Sequence, residues 1–204
     1  MALTIPIILA VEDPLSEDMI RVILARSGRS FNITACYGKQ GFGYLRKQVP
    51  AFNLAARHTP FLMLVDLDRA ECPPTLINEW LSHPKARYFI FRVAVREIES
   101  WIMADSESFA NYFGLKKKKD LIPKNPDSVD DPKKLLIELV SKSKKRELRE
   151  SIVPALGSSL KTGPDYNGQL GFFVAKFWKP ESAMLNSPSL NRTMKAIKSF
   201  SYDG

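Results

Sequence analysis

Cysteine and histidine are scarce in this chain of 204 residues. Its two cysteines, Cys36 and Cys72, are too few for the disulfide framework of a small secreted domain. Its two histidines, His58 and His83, have no cysteine or second histidine at the spacing of a zinc site. Both shortages argue against a fold held by disulfides or zinc, and they fit a protein of the reducing cytoplasm.

Long hydrophobic runs are also lacking. No stretch approaches the roughly 20 consecutive apolar residues that a membrane-spanning helix requires. The first apolar run, Ile5–Val11, is short, has no Lys or Arg before it and ends at Glu12-Asp13, which is not typical of a secretory signal. We therefore expect a soluble, cytoplasmic protein that does not contact membranes.

Positive charge is what the sequence has in excess. Lys and Arg number 30 against 22 Asp and Glu, which gives a formal net charge of +8. Residues 106–204 carry +7 of this excess, with 18 basic and 11 acidic residues. Such an excess is typical of proteins with anionic partners, and nucleic acid is the first candidate.

Strand and helix patterns alternate in the first half of the chain. Short apolar or β-branched runs predict strands at Ile5–Val11, Phe31–Tyr37, Phe61–Val65 and Tyr88–Val95. Helical patterns begin at Pro14, Pro73, Asp131-Pro132, Leu170 and Pro188. This alternation predicts an α/β fold with a mostly parallel central sheet flanked by helices. No strand pattern occurs after the fourth predicted strand, Tyr88–Val95. We therefore expect an α/β domain over residues 1–105 and a basic helical C-terminal region over residues 106–204.

Acidic residues follow three of the predicted strands. Glu12 follows the first strand, Asp66 and Asp68 the third, and Glu97 and Glu99 the fourth. In open α/β sheets ligands bind at the carboxyl ends of the strands, and carboxylates gathered there would need a divalent cation. Oxygen ligands suit Mg²⁺ or Mn²⁺. The alternatives are a solvated turn or Asx cap at the two aspartates, and a helix first turn that holds the two later glutamates.

A basic, glycine-rich segment follows the second predicted strand. Residues 38–47 contain Lys39, Arg46 and Lys47 but neither a Walker loop nor a Gly-x-Gly-x-x-Gly fingerprint. The glycines would let backbone N–H groups approach a phosphate, with Lys39 in reach; the alternative is a flexible turn with solvated charges. Arg96 either binds phosphate as well or pairs with the neighbouring acids.

Aromatic residues and a thiol offer two further candidates. Phe172, Phe173, Phe177 and Trp178 could stack on nucleic-acid bases, but their helical spacing favours packing in a core. Cys36 lies in a predicted strand and is expected to be a core residue rather than a nucleophile. No Gly-x-Ser-x-Gly elbow is present.

The strand–Glu12 and strand–Asp66-Leu67-Asp68 pattern resembles the Toprim domain of topoisomerases, primases and OLD-type nucleases. Nearly the whole chain also resembles a Toprim-like bacterial family, domain of unknown function 4276. The segments that carry this likeness are 64–68, 70–74, 92–101 with 104–105, 163–167 and 187–190. One departure is Asp13-Pro14, where many Toprim sequences have a glycine.

The resemblance implies metal-dependent phosphoryl chemistry. Glu12 would serve as acid/base or metal ligand, Asp66 and Asp68 would hold Mg²⁺, and Glu97 and Glu99 are candidates to complete a two-metal site that activates water. Lys39 would be the basic catalytic group beside the phosphate.

The expected function is therefore a Mg²⁺- or Mn²⁺-dependent nuclease or phosphodiester hydrolase acting on nucleic acid, in bacterial defence or DNA maintenance. Two alternatives stay open. One is a non-catalytic interaction module that partners an ATPase, and the other is an enzyme that processes nucleotides or other small phosphates.

Overall fold

A four-stranded parallel sheet organises the first part of the chain. The computed structural model describes residues 4–203. The strands are β1 (Ile5–Val11), β2 (Phe31–Gly38), β3 (Phe61–Asp66) and β4 (Phe89–Ala94). Their order is β2-β1-β3-β4, and every neighbouring pair is parallel.

Helices connect the strands and form the rest of the chain. They are α1 (Pro14–Ala25), α2 (Phe42–Ala55), α3 (Pro73–Trp80), α4 (Glu99–Ala104), α5 (Ser106–Tyr112), α6 (Pro132–Ser141), α7 (Arg146–Ile152), α8 (Tyr166–Lys176), α9 (Pro180–Ala183) and α10 (Pro188–Lys198). Two 3₁₀ turns cover Lys116–Leu121 and Pro126–Ser128. The predicted class, an α/β fold with a parallel sheet flanked by helices, is confirmed.

The described chain divides into two compact units. The first consists of residues 4–95 and 191–203, and the second of residues 96–190. The predicted segments, 1–105 and 106–204, divide the chain at other residues. Across residues 4–203, every helix is too short or too polar to span a membrane.

Helices cover both faces of the sheet of the first unit, and its strand β3 is buried on both faces. The connection from β1 through α1 to β2 runs across the sheet in the opposite direction to the connection from β3 through α3 to β4. Right-handed crossovers therefore place α1 and α3 on opposite faces. On the face covered by α2 and α3, Phe61, Met63 and Val65 of β3 pack into a core with Val49 and Trp80.

Aspartate caps begin two of the helices whose starts the sequence predicts. Asp13 accepts a hydrogen bond from the backbone N–H of Ser16 at 2.7 Å, and Pro14 occupies the first helical position of α1. Asp131 caps α6 in the same way, at 2.8 Å from the nitrogen of Lys134. Each cap satisfies an N–H group that has no partner within the helix.

Helix α2 differs from the sequence prediction. The sequence patterns assign no helix between the second and third strands, but a helix begins at Phe42 and runs to Ala55 with Pro50 in its interior. One face of the helix, which includes Leu45, Val49 and Phe52, is buried. This burial offsets the loss of the backbone hydrogen bond that a proline cannot donate.

Gly38 lies where the loop before α2 crosses the end of β1. Its φ is +108°, and a Cβ atom there would lie 1.9 Å from the carbonyl oxygen of Val11. The next backbone N–H groups are hydrogen-bonded to the same strand end, because Lys39 donates to Val11 at 2.9 Å and Gly41 to Glu12 at 3.1 Å. The loop therefore requires glycine at this position.

The second unit is built around two buried indoles. Trp178 donates its Nε1–H to the carbonyl of Trp101 at 2.9 Å, and Trp101 donates its own to the hydroxyl of Ser189 at 2.7 Å. Asp127 accepts from the backbone N–H of Ser189 at 2.8 Å and from the hydroxyl of Ser187 at 2.7 Å. The polar groups of this core are thus paired, as burial requires.

We expect Gly38→Ala to lower the free energy of unfolding by at least about 2 kcal/mol, because the new Cβ collides with backbone and the left-handed conformation is strained. The matched control is Gly43→Ala, since a Cβ there has nothing within 4 Å and Gly43 lies in α2. The free energy of unfolding of the control should be unchanged or should increase by about 0.5–1 kcal/mol. Urea denaturation measures both, and equal effects would contradict the close approach at Gly38.

Candidate functional site

The strand order reverses between β1 and β3. The chain leaves β1 toward β2 on one side of the sheet and leaves β3 toward β4 on the other. Such a reversal opens a crevice beyond the carboxyl ends of the two strands, and this is where open α/β sheets bind ligands. The crevice is therefore the first place to look for functional side chains in the first unit.

Glu12 and Asp66 meet at this crevice. The carboxylate oxygen Oε1 of Glu12 accepts a hydrogen bond from the backbone N–H of Asp66 at 3.0 Å. The register explains the contact, because Val11 lies opposite Leu64 and the next residues diverge only slowly. Both side chains are half-buried. Two of the predicted acids are thus brought together across the point where the strand order reverses.

Asp68 lies in a turn beyond the strand. Its φ is +49°, a left-handed conformation that aspartate tolerates better than most residues, and its side chain is exposed. Leu67 between the two aspartates is buried, and its N–H donates to Ala94 at 2.9 Å. Because the backbone turns at Asp68, its carboxylate lies beyond the extended strand that ends with Asp66.

Lys39 binds a carboxylate of the first unit. Its ammonium lies 2.6 Å from Oε2 of Glu17 on α1, and Arg21 lies at the same distance from Oε1. Burial acts to raise the pKa of Glu17, but hydrogen bonds from Lys39 and Arg21 more than offset it and hold the pKa below its usual value. The backbone N–H of Lys39 is also occupied, as described above. Its predicted role as a catalytic phosphate ligand would require the Glu17 pair to open.

Cys36 lies beside this ion pair on β2. Burial, together with the negative charge of Glu17, raises the pKa of the Cys36 thiol to about 11. At neutral pH the residue is a thiol rather than a thiolate, and a thiol is a poor nucleophile.

Other basic side chains of the first unit face solvent. Arg46 and Lys47 are exposed on α2 rather than in a loop. Sequence reasoning missed a cleft of about 330 Å³ that is lined by Lys85 and Arg87, just before β4, and by Arg92 on β4, among other residues. Arg92 donates from Nε to the hydroxyl of Thr193 at 3.3 Å.

Glu97 and Glu99 belong to the second unit, where both meet Lys133. The ammonium of Lys133 lies 3.8 Å from Oε1 of Glu97 and 3.4 Å from Oε1 of Glu99. Its backbone N–H donates to Oε2 of Glu97 at 2.9 Å, and the hydroxyl of Tyr166 donates to Oε1 of Glu99 at 2.8 Å. A lysine therefore supplies the neutralising charge at the position where a second metal was expected. Arg96, just before this pair, has a left-handed backbone with φ of +59°.

Glu99 is a deeply buried carboxylate. It is 1% exposed, and its Oε2 has no hydrogen-bond donor among the described residues. Burial raises the pKa of Glu99, while Lys133 and Tyr166 act in the opposite direction. Such an arrangement stores an unfavourable desolvation energy that protonation would relieve.

Lys133 and Tyr166 were not predicted as site residues. Lys133 is the second residue of α6, and its sequence context is that of an ordinary helix start. Tyr166 begins α8 within a loop-like stretch of sequence. Both lie far along the chain from Glu99, so no local pattern could have indicated the contact.

Glu12 and Asp66 fit a divalent cation by their chemistry. Among residues 4–203, no three His, Cys, Asp or Glu side chains stand close enough to hold a metal ion by themselves. Mg²⁺, however, keeps several waters and often binds only one or two carboxylates together with substrate phosphates. A pair of carboxylates with oxygen donors alone suits Mg²⁺ or Mn²⁺ on these grounds.

Comparison with known proteins identifies the family. The family described as domain of unknown function (DUF4276) matches residues 11–157. This chain belongs to that family. The DUF4276 chain is also similar to a solved structure, the C-terminal region of the Burkholderia pseudomallei OLD protein. The similarity covers 94% of this chain and 96% of that one, with 11% identity and a TM-score of 0.47. The search of curated proteins found no match to this chain.

The raised pKa of Glu99 predicts a pH-dependent stability for this DUF4276 protein. The folded state binds this proton more tightly than the unfolded chain, whose carboxyl has the ordinary value of 4.5. The stabilising contribution is therefore complete below that pH and is lost as the pH rises through the folded-state pKa. Glu99→Gln cannot titrate but still accepts from Tyr166. The free energy of unfolding of this variant relative to wild type should rise by about 1.4 kcal/mol per pH unit between the unfolded-state and the folded-state pKa of Glu99.

Urea denaturation from about pH 4.5 to neutral tests this, because wild type and variant share every other titration. The control is Glu107→Gln. The hydrogen bond from Lys119 lowers the pKa of the exposed Glu107. The stabilising contribution of this group is complete above the unfolded-state value of 4.5, so the stability of Glu107→Gln relative to wild type should stay nearly constant from about pH 4.5 to neutral, in contrast to Glu99→Gln. A flat difference for Glu99→Gln would contradict the buried, proton-binding carboxylate.

Proposed function

We propose that this protein is a Mg²⁺- or Mn²⁺-dependent phosphodiester hydrolase that acts on nucleic acid. The observation that supports the proposal best is the contact between Glu12 and Asp66 at the point where the strand order reverses. The resemblance of the strand–Glu and strand–Asp-x-Asp pattern to Toprim sequences points to the same chemistry.

Glu12 and Asp66 would hold the cation, with Asp68 in the adjoining turn as a further oxygen donor. When bound, the ion would lower the pKa of a water and stabilise the negative charge on the phosphate. The hydrogen bond from the backbone of Asp66 fixes the Glu12 carboxylate in position, so one of its oxygens is already oriented. Glu97 and Glu99 stay candidates for a second ion, in competition with Lys133.

Basic groups would bind the phosphate backbone. Arg46 and Lys47 are exposed on α2, and Lys85, Arg87 and Arg92 line the cleft beside β4. Lys39 and Arg96 remain predicted phosphate ligands. An ATPase partner and a role in defence or DNA maintenance are expectations from the resemblance, and a cytoplasmic location is an expectation from the composition.

A plasmid-nicking assay with Mn²⁺ tests the proposal. We expect activity in the wild type and a loss of about 100-fold or more in Glu12→Gln and Asp66→Asn, because each substitution removes a negative charge that the cation needs. Glutamine can still accept from the Asp66 backbone, so the first variant separates charge from structure. Glu71→Gln, an exposed carboxylate of the same unit, is the matched control and should retain wild-type activity.

The outcomes separate the alternatives. Equal nicking by the wild type and both site variants would reject the assignment of Glu12 and Asp66. A wild type that neither nicks nor shows heat of Mn²⁺ binding in calorimetry would favour a non-catalytic interaction module. Hydrolysis of mononucleotides but not of plasmid would favour an enzyme of small phosphates.

A further inference from the structure

A pocket in the second unit combines aromatic faces with lysines. It has a volume of about 470 Å³, within the range of small-molecule sites in proteins. Its wall is formed by Ser108, Asn111, Tyr112, Lys145, Lys176, Phe177 and Lys179. None of these residues belongs to the acidic site of the first unit.

The aromatic side of the pocket is accessible. The rings of Tyr112 and Phe177 lie 5.0 Å apart at 36°, and Phe172 lies 5.9 Å from Phe177 and 6.3 Å from Tyr112. Phe172 is 51% exposed and Phe177 44% exposed. Their neighbours Phe173 and Trp178 are buried in the core. The segment therefore supplies two aromatic residues to the core and leaves two on the surface, where burial does not explain them.

The cationic side consists of three exposed lysines, Lys145, Lys176 and Lys179. Lys145 donates to the carbonyl oxygen of Tyr112 at 2.6 Å, and its ammonium lies 5.4 Å from the centre of the Tyr112 ring. In the described part of the chain, none of the three forms an ion pair with a carboxylate. Their charge is thus available to an external anion.

Nearby carboxylates do not cancel this charge. Asp105 is buried and accepts from the backbone nitrogens of Ser108 at 3.3 Å and Lys179 at 2.9 Å. Asp165 accepts from the side-chain amide of Gln169 at 2.7 Å. Burial, with a smaller effect of Asp165, raises the pKa of Tyr112, so its ring stays neutral and suited to stacking.

We propose that this pocket and the adjoining Phe172 bind single-stranded nucleic acid, with bases stacked on Phe177, Tyr112 and Phe172 and the backbone phosphates on Lys145, Lys176 and Lys179. Base–aromatic stacking is tolerant of sequence, and lysines that follow the phosphates are the usual complement to it. A duplex keeps its bases stacked on one another and offers no free base face. The inference rests on the proposed function only in that nucleic acid is the ligand, and it requires no metal.

Fluorescence anisotropy with a labelled oligothymidine of roughly 12 nucleotides, in buffer with EDTA, tests the proposal. Phe177→Ala and Phe172→Ala should each weaken binding about tenfold at unchanged salt dependence, because each removes a stacking surface. Lys176→Gln should reduce the slope of log K against log salt by about 1, because one phosphate contact is lost. Leu185→Ala, an 81% exposed residue of the same unit, is the control and should bind as the wild type does.

The opposite results are equally definite. Wild-type affinity in both phenylalanine variants, each shown by circular dichroism to be folded, would overturn the proposal. So would equal affinity for a duplex of the same length, or full competition by a free mononucleotide, which would make the pocket a small-ligand site. Binding by the oligonucleotide with no nicking by the same protein would reject the proposed hydrolysis and leave the pocket standing.

Discussion

Burial of strand β3 on both faces is the constraint on which the chemistry of the first unit depends. The interior residues of β3, Phe61–Val65, are all buried, so a charge in the middle of this strand would lose its water without a partner. Polar side chains can therefore occur only where the strand ends, and Asp66 is its last residue. Glu12 directly follows β1 for the same reason. The crevice between these strands gains its two carboxylates because the apolar interiors of β1 and β3 exclude them.

In the second unit, hydrogen bonds and one lysine compensate the burial of polar and charged side chains. Its indole N–H groups, its buried serines and Asp127 satisfy one another in pairs. Within residues 4–203, Glu99 is the exception in this unit, since one of its oxygens is buried without a donor. Lys133 and Tyr166 offset only part of the desolvation cost of this carboxylate. Part of the cost of burying Glu99 is therefore left uncompensated in the folded unit.

Local sequence patterns predicted the elements that depend on interactions between neighbours in the chain. The strands from Ile5, Phe31 and Phe61 and the aspartate caps at Asp13 and Asp131 follow from hydrophobic runs and cap chemistry, which involve neighbours in the chain. Helix α2 was missed because Pro50 and the glycines before it conceal a helix that tertiary packing stabilises. The partners of Lys39 and Glu99 were missed because they come from other elements. The turn at Asp68 matches one of the alternatives for the Asp-x-Asp pattern, because alternation of side chains holds only while the chain is extended.

The distribution of charge along the sequence differs from its distribution over the two compact units. The sequence concentrates the basic excess in residues 106–204, but the end of α10 with Arg192, Lys195 and Lys198 belongs to the first compact unit. Counted by unit, residues 1–95 with 191–204 hold 14 basic and 9 acidic residues, a net of +5, and residues 96–190 hold 16 and 13, a net of +3. A small phosphate needs one cluster of cations. Positive charge on both units, each with its own basic cleft or pocket, is better matched to a polyanion, whose many phosphates release counterions wherever they meet lysine and arginine.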